Sequence, residues 1–309
     1  MRTKPVSPRS TSRAAQGVHW LGVLAWAVPC VAAPLAAAAV GTTGVAPVGM
    51  LVPAMGALFS VLVARLVLAA RADPGRRLSI ACLVAGLLLW ATSSVQVSLA
   101  PDGAMLQFPA PGEWFGLASG AAFAAHLFVD AAQRVRATLG DWLEAVVAAG
   151  GAVCLVAGVV VTPLSDVFAR QGVPLLVALT YPAIDLLLLA VVVAQVVLRR
   201  RAVSAQTGIL VAALVVLSGA DLAGSVVNLV DGGYTYTLVG DVGWSLAFIL
   251  LVDSACRERA EPRPGEHAPG RGLVTVAAAA AALVVLTVQP PGPARPYVVV
   301  PADVTFVAA

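Results

Sequence analysis

Residues 47–99 read "PVGMLVPAMGALFSVLVARLVLAARADPGRRLSIACLVAGLLLWATSSVQVSL". Two apolar runs, 47–70 and 78–99, flank the short polar segment "RADPGRR", and each run reaches the ~20 residues that carry an α-helix across a bilayer. The whole chain repeats the pattern. Of its 309 residues, 60% are hydrophobic and 11% charged, with a mean hydropathy of +0.92. A soluble domain carries about twice that share of charge. The sequence predicts an all-α, polytopic transmembrane helix bundle whose first partner is the lipid bilayer.

By the same length criterion nine full spans are predicted, near 18–40, 47–70, 78–99, 112–132, 142–163, 173–198, 208–230, 235–255 and 272–289. A tenth begins near Tyr297 and stops at Ala309, so the chain reads as cut off inside a helix. Four segments result: a basic N-terminus (1–17), an eight-helix membrane core (18–255), a linker rich in Pro, Gly and both charges (256–271), and the ninth span with the start of the tenth (272–309).

The net charge of +3 is not a nucleic-acid signature, because the basic residues sit at the ends of apolar runs. They cluster at 2–13, 65–77, 134–136, 199–201 and 257–271, and alternate loops collect seventeen of them against two, Arg170 and Arg295. The positive-inside rule then places the N-terminus in the cytoplasm of a cell whose plasma membrane holds the bundle. The basic start, apolar run and "PLAAAAV" also fit a signal peptide. An uncleaved first helix is the preferred reading, and cleavage leaves the other orientations unchanged. Cys30, Cys82, Cys154 and Cys256 lie far apart in or beside apolar runs, giving neither a disulfide framework nor a CxxC metal site.

Intramembrane polar groups carry what functional signal there is. An aspartate at the centre of a spanning helix costs roughly 2.5–3.5 kcal/mol on insertion scales, so it faces the bundle interior and a partner. Asp185, Asp221 and Asp241 all fall at mid to outer depth of the sixth, seventh and eighth spans. Ser218, Asp221, Ser225 and Asn228 are spaced 3, 4 and 3, which places them on one helical face. Tyr181 stands one turn before Asp185, and Pro182 leaves the carbonyl of residue 178 without its helical donor. Tyr236, Asp241 and Trp244 line the eighth span, while Glu113 and Trp114 open the fourth. A shared pocket built from Asp185, Asp221, Asp241, Tyr181, Asn228, Trp244 and Glu113 is one expectation, with a small ligand or cation as its occupant. The other is that the aspartates hydrogen-bond to Ser, Tyr and Asn and fix helix register, pairs of a type that contribute about 0.6 kcal/mol. No arginine, lysine or histidine stands at comparable depth, so some of the carboxyls are neutral or bind a cation. His126 is expected to be packed or hydrogen-bonded rather than a metal ligand, and Gly112, Gly116 and Gly120 form a ridge for close helix approach.

The runs "PGEWFGLASGAAFAAHLFVDAAQRVR" (111–136), "DWLEAVVAAGGAVCLVAGVVVTPL" (141–164), "LTYPAIDLLLLAVVVAQVVL" (179–198) and "SGADLAGSVVNLVDGGYTYTLVGDVGWSLAFILL" (218–251) carry a resemblance. They resemble the N-terminal multi-span region of actinobacterial membrane-anchored GGDEF and GGDEF-EAL proteins, which make or degrade cyclic di-GMP. Glu113, Glu144, Tyr181, Pro182, Asp185, Asp221, Asp241 and Trp244 fall on that region's motif positions, with Glu113 and Glu144 standing where aspartate is commoner. The resemblance covers about residues 50–255 and implies a sensory or anchoring module whose polar pocket biases helix packing or homodimerisation of a cytoplasmic output. No GGDEF or EAL catalytic signature occurs in the chain, so neither enzymatic activity, cofactor nor metal is expected of it.

Two other classes are open. A cation- or proton-coupled small-solute transporter would use the same carboxylates as its path. An intramembrane aspartyl protease is suggested by "YPAID" and "LVGD" but fails at Pro182 and at Leu238, where glycine should stand. P-loop, GxGxxG and HExxH signatures are absent.

Overall fold

The computed structural model describes residues 17–32, 35, 48–99, 111–134, 204–231 and 238–257, with single positions in 147–151 and 180–192. Among the described residues every regular element is helical and no strand occurs. In chain order these are α1 (Gly17–Ala32), α2 (Val48–Ala72), a 3₁₀ turn (Pro74–Arg76), α3 (Arg77–Leu99), α4 (Pro111–Arg134), α5 (Ala205–Asp231) and α6 (Leu238–Cys256).

Four of them contain a stretch long and apolar enough to cross a membrane: Val52–Ala72, Pro74–Gln96, Trp114–Gln133 and Ala205–Ala223. They correspond to the second, third, fourth and seventh of the nine predicted spans. The count of nine full spans and a truncated tenth is therefore corrected to four among the described residues. The first run is helical over its described residues, 17–32 and 35. The eighth forms the 19-residue α6. The fifth and the sixth are described at single positions only, and the ninth, the tenth and the linker 258–271 lie outside the described residues.

The element boundaries follow from local chemistry. Asp73 Oδ1 accepts from the Gly75 amide at 3.0 Å, and Pro74 supplies the fixed φ that starts the 3₁₀ turn. Pro111 occupies the first helical position of α4. Ser204 caps α5, its Oγ accepting from the Thr207 amide at 3.1 Å, which starts that helix three residues before the predicted 208. Within the apolar helices, Ser60 Oγ donates to the Gly56 carbonyl and Thr92 Oγ1 to the Leu88 carbonyl, both at 2.8 Å, so these exposed hydroxyls are satisfied without water. Large apolar side chains on the outer faces, among them Leu78, Leu88, Val95, Phe128 and Val215, are exposed. An outer surface of this kind suits lipid and not water.

The chain divides into two compact units, Met1–Arg134 with Val227–Glu258, and Val135–Val226 with Arg259–Ala309. In the first, α2 packs on α3 and α6, and α3 on α4. Phe248 of α6 is fully buried and centres its core, with ring centroids 5.3 Å from Trp90, 5.6 Å from Phe59 and 5.8 Å from Phe123. The α3–α4 seam depends on Gly86, where a Cβ would lie 2.4 Å from the Phe123 ring. Gly112 and Gly116 are buried on α4 in helical register with Ser119, Phe123 and His126, the face that meets α3. In the second unit α5 buries Gln206, Leu214, Leu217, Ser218 and Asp221.

Candidate functional site

In the second unit the described part of the "YPAID" segment sets Asp185 between buried Leu188, Val191 and Val192 on one side and Tyr181 on the other, all on a helical path. Asp221 comes from α5. Both residues are 6% exposed, and their carboxyls are near enough to interact directly. Two carboxylates so placed in an apolar unit repel each other, which favours a proton shared between them. Asp185 Oδ2 is buried and has no hydrogen-bond partner. Ser218, one turn before Asp221 on the same face, is buried as well, and its Oγ has no partner either. Among the described residues of this unit the titratable side chains are Tyr181, Asp185 and Asp221, and none is basic. Two of the three predicted acids are thus brought together. Pro182 lies outside the described residues.

Asp241 and Trp244 belong to the first unit, in the opening turns of α6. Trp244 stacks edge-on against Trp90, centroids 5.8 Å apart, and so extends the aromatic core around Phe248. Asp241, one turn earlier, is half-buried. Glu113 falls in the first turn of α4 and Asn228 in the last turn of α5, but their side chains, like that of Ser225, lie outside the described residues. Tyr236 and Glu144 lie outside them altogether. Trp114 is exposed at the start of α4. His126 is buried and packed, as expected: its Nδ1 lies 2.9 Å from the Ser79 carbonyl, to which it donates, and 3.0 Å from Ser79 Oγ. Among the described residues no cluster of three His, Cys, Asp or Glu side chains is placed to hold a metal.

Sequence reasoning missed an ion-pair network at one end of the first unit. Arg65, near the C-terminal end of α2, is buried; its Nη1 pairs with Asp253 Oδ1 of α6 at 2.5 Å and its Nε donates to the Val18 carbonyl of α1 at 3.0 Å. Gly22 admits the guanidinium, since a Cβ there would sit 3.0 Å from Arg65 Cζ. Arg257 Nη2 approaches the other Asp253 oxygen at 3.8 Å, and buried Arg76 donates to the Arg257 carbonyl at 3.1 Å, closing the C-terminal end of α6. The signal was present in "VLVARLVLAAR" and "ILLVDSAC": an arginine and an aspartate, each well inside an apolar run, need counter-ions there. Counting Arg65 with the loop residues hid it.

Comparison with models of protein families, with curated proteins and with solved structures finds no match to this chain.

Proposed function

We propose that this chain is a membrane-embedded sensory or anchoring module of a signalling protein, of the class whose multi-span regions its sequence resembles, and that its signal acts at the carboxyl pair Asp185–Asp221. The observation that carries the proposal is the burial of two adjacent acids in an apolar unit with no basic group among its described residues. Helix register can be fixed by apolar packing, whereas two buried acids each oppose membrane insertion by roughly 2.5–3.5 kcal/mol. An occupant or proton that changes the charge of the pair shifts the packing of the helices that carry it, and a bistable arrangement passes this on to an output. Tyr181, one turn before Asp185 in the same unit, belongs to the site in this proposal.

The same proposal takes the bundle to be polytopic, with the arginine-rich end in the cytoplasm of a bacterial cell. Its support is that Arg65, Arg76 and Arg257 meet at one end of the first unit, with Arg71 and Arg77 beside the turn at that end. In cells, the triple variant Asp185→Asn, Asp221→Asn, Asp241→Asn should insert at the wild-type level while the cyclic di-GMP output loses its response to stimulus. Normal insertion with a normal response to every stimulus ends the sensing role.

A proton held between two buried carboxyls also favours a second reading, proton- or cation-coupled transport of a small solute. Flux into proteoliposomes that Asp185→Asn abolishes would select it.

A further inference from the structure

We propose that Asp185, Asp221 and Ser218 form a binding site for one alkali cation of sodium size, held by side-chain oxygen alone; this rests on the reading of the carboxyl pair as the receptive site and names what it receives. The acids alone would not carry this. The second observation is Ser218, which is 7% exposed and whose hydroxyl has no hydrogen-bond partner. A hydroxyl in an apolar helix ordinarily bonds back to a carbonyl one turn earlier, as exposed Ser60 and Thr92 and buried Ser119 do in this chain. Ser218 does not, although it lies one turn before Asp221 and on the same face. An oxygen left unmet at such depth costs about 1–3 kcal/mol unless something meets it. Asp185 Oδ2 is in the same position, buried and unmet.

The chemistry of the donors selects the occupant. Two carboxyls and a hydroxyl offer oxygen only, the set preferred by hard cations, with no sulfur or imidazole for a transition metal. Calcium takes 6–8 oxygens and magnesium demands near-octahedral geometry with retained water, whereas three side chains supply five oxygens here. No third acid joins them among the described residues. A monovalent ion also balances. The proton between the carboxyls leaves to water as the cation enters, and the charge of the buried site is the same before and after. No arginine, lysine or histidine among the described residues of this unit competes for the carboxylates.

The test is the thermal midpoint of the full chain in lipid nanodiscs, in sodium, lithium, potassium, calcium or choline chloride at constant ionic strength and fixed pH. A ligand that binds only the folded state raises the midpoint with its concentration. Sodium should raise it and choline should not. Ser218→Ala, which removes one neutral ligand and little volume, should move the half-effective sodium concentration upward by about tenfold, equivalent to 1.4 kcal/mol. Asp185→Asn should abolish the sodium effect, and broadening of the sodium-23 resonance by wild type but not by Asp185→Asn gives a readout independent of unfolding. Equal midpoints in sodium and choline overturn the proposal, as does an effect of calcium alone or a Ser218→Ala variant with wild-type sodium dependence. A sodium-dependent midpoint beside a signalling output indifferent to the carboxyls would keep the site and end the sensing role. A sodium-blind midpoint beside an output that needs them would do the reverse.

Discussion

Removing one member of the Arg65–Asp253 pair should be worse than removing both. Asp253→Asn leaves Arg65, with a side chain 9% exposed, holding only the Val18 carbonyl. Breaking a buried pair from one side costs about 3–5 kcal/mol, and since Asp253 keeps a fifth of its side chain in contact with solvent, the low end applies, about 3 kcal/mol. Arg65→Met costs less, about 2 kcal/mol, because Asp253 is part hydrated and retains Arg257 at 3.8 Å, a half-exposed partner of the kind that contributes 0–1 kcal/mol. Arg65→Met with Asp253→Asn removes both charges, so its loss should fall short of the sum by about 1–3 kcal/mol. Arg65→Lys should recover only part: an ammonium cannot reach the α1 carbonyl and the α6 carboxylate with the fixed fork that Arg65 uses. The assay is reversible denaturant unfolding in mixed micelles followed by helix circular dichroism, run on the four variants and wild type. Strict additivity in the double variant, or Arg65→Met costing more than Asp253→Asn, would refute the account of the network.

Gly86→Ala should destabilise the first unit by about 1–3 kcal/mol, because the new methyl would meet a Phe123 ring that the buried core prevents from swinging away; pairing it with Phe123→Leu should restore part of the loss in the same assay. Phe248→Ala should cost about 3–5 kcal/mol, since the ring is wholly buried and touches three other aromatics, and near-ultraviolet dichroism from Trp90 should collapse with it. Asp73→Ala should cost about 1 kcal/mol by uncapping the turn between α2 and α3, and Asp73→Asn, whose amide oxygen can still accept from Gly75, should be close to wild type in unfolding midpoint.

Helix type and most helix limits could be read from the sequence because apolar run length and capping residues are local signals. The runs at 47–70, 78–99 and 112–132 became α2, α3 and α4 with ends shifted by two residues or fewer, where Asp73, Pro74 and Pro111 mark them. Of the candidate site, the burial of Asp185 and Asp221 was readable, since an acid in an apolar helix faces the protein interior. That Ser218 shares a helical face with Asp221 was visible in the 3, 4, 3 spacing, yet spacing cannot tell a satisfied hydroxyl from an unmet one. The role of Trp244 was only half readable: an aromatic near Asp241 was evident, but its stacking on Trp90 joins residues more than 150 positions apart and has no local signature. Arg65 and Asp253 are separated still further, and a rule that counts arginines by loop treats a buried, paired side chain as if it were a solvated one.

The connection from α2 to α3 is a single 3₁₀ turn, Pro74–Arg76, held by Asp73. With so little chain between them, neither helix can thread a translocon without drawing the other after it, so they enter the bilayer as one hairpin. Epitope tags placed before Val48 and after Leu99 should then be accessible from the same compartment in every topological variant, including charge-reversed ones that turn the pair over.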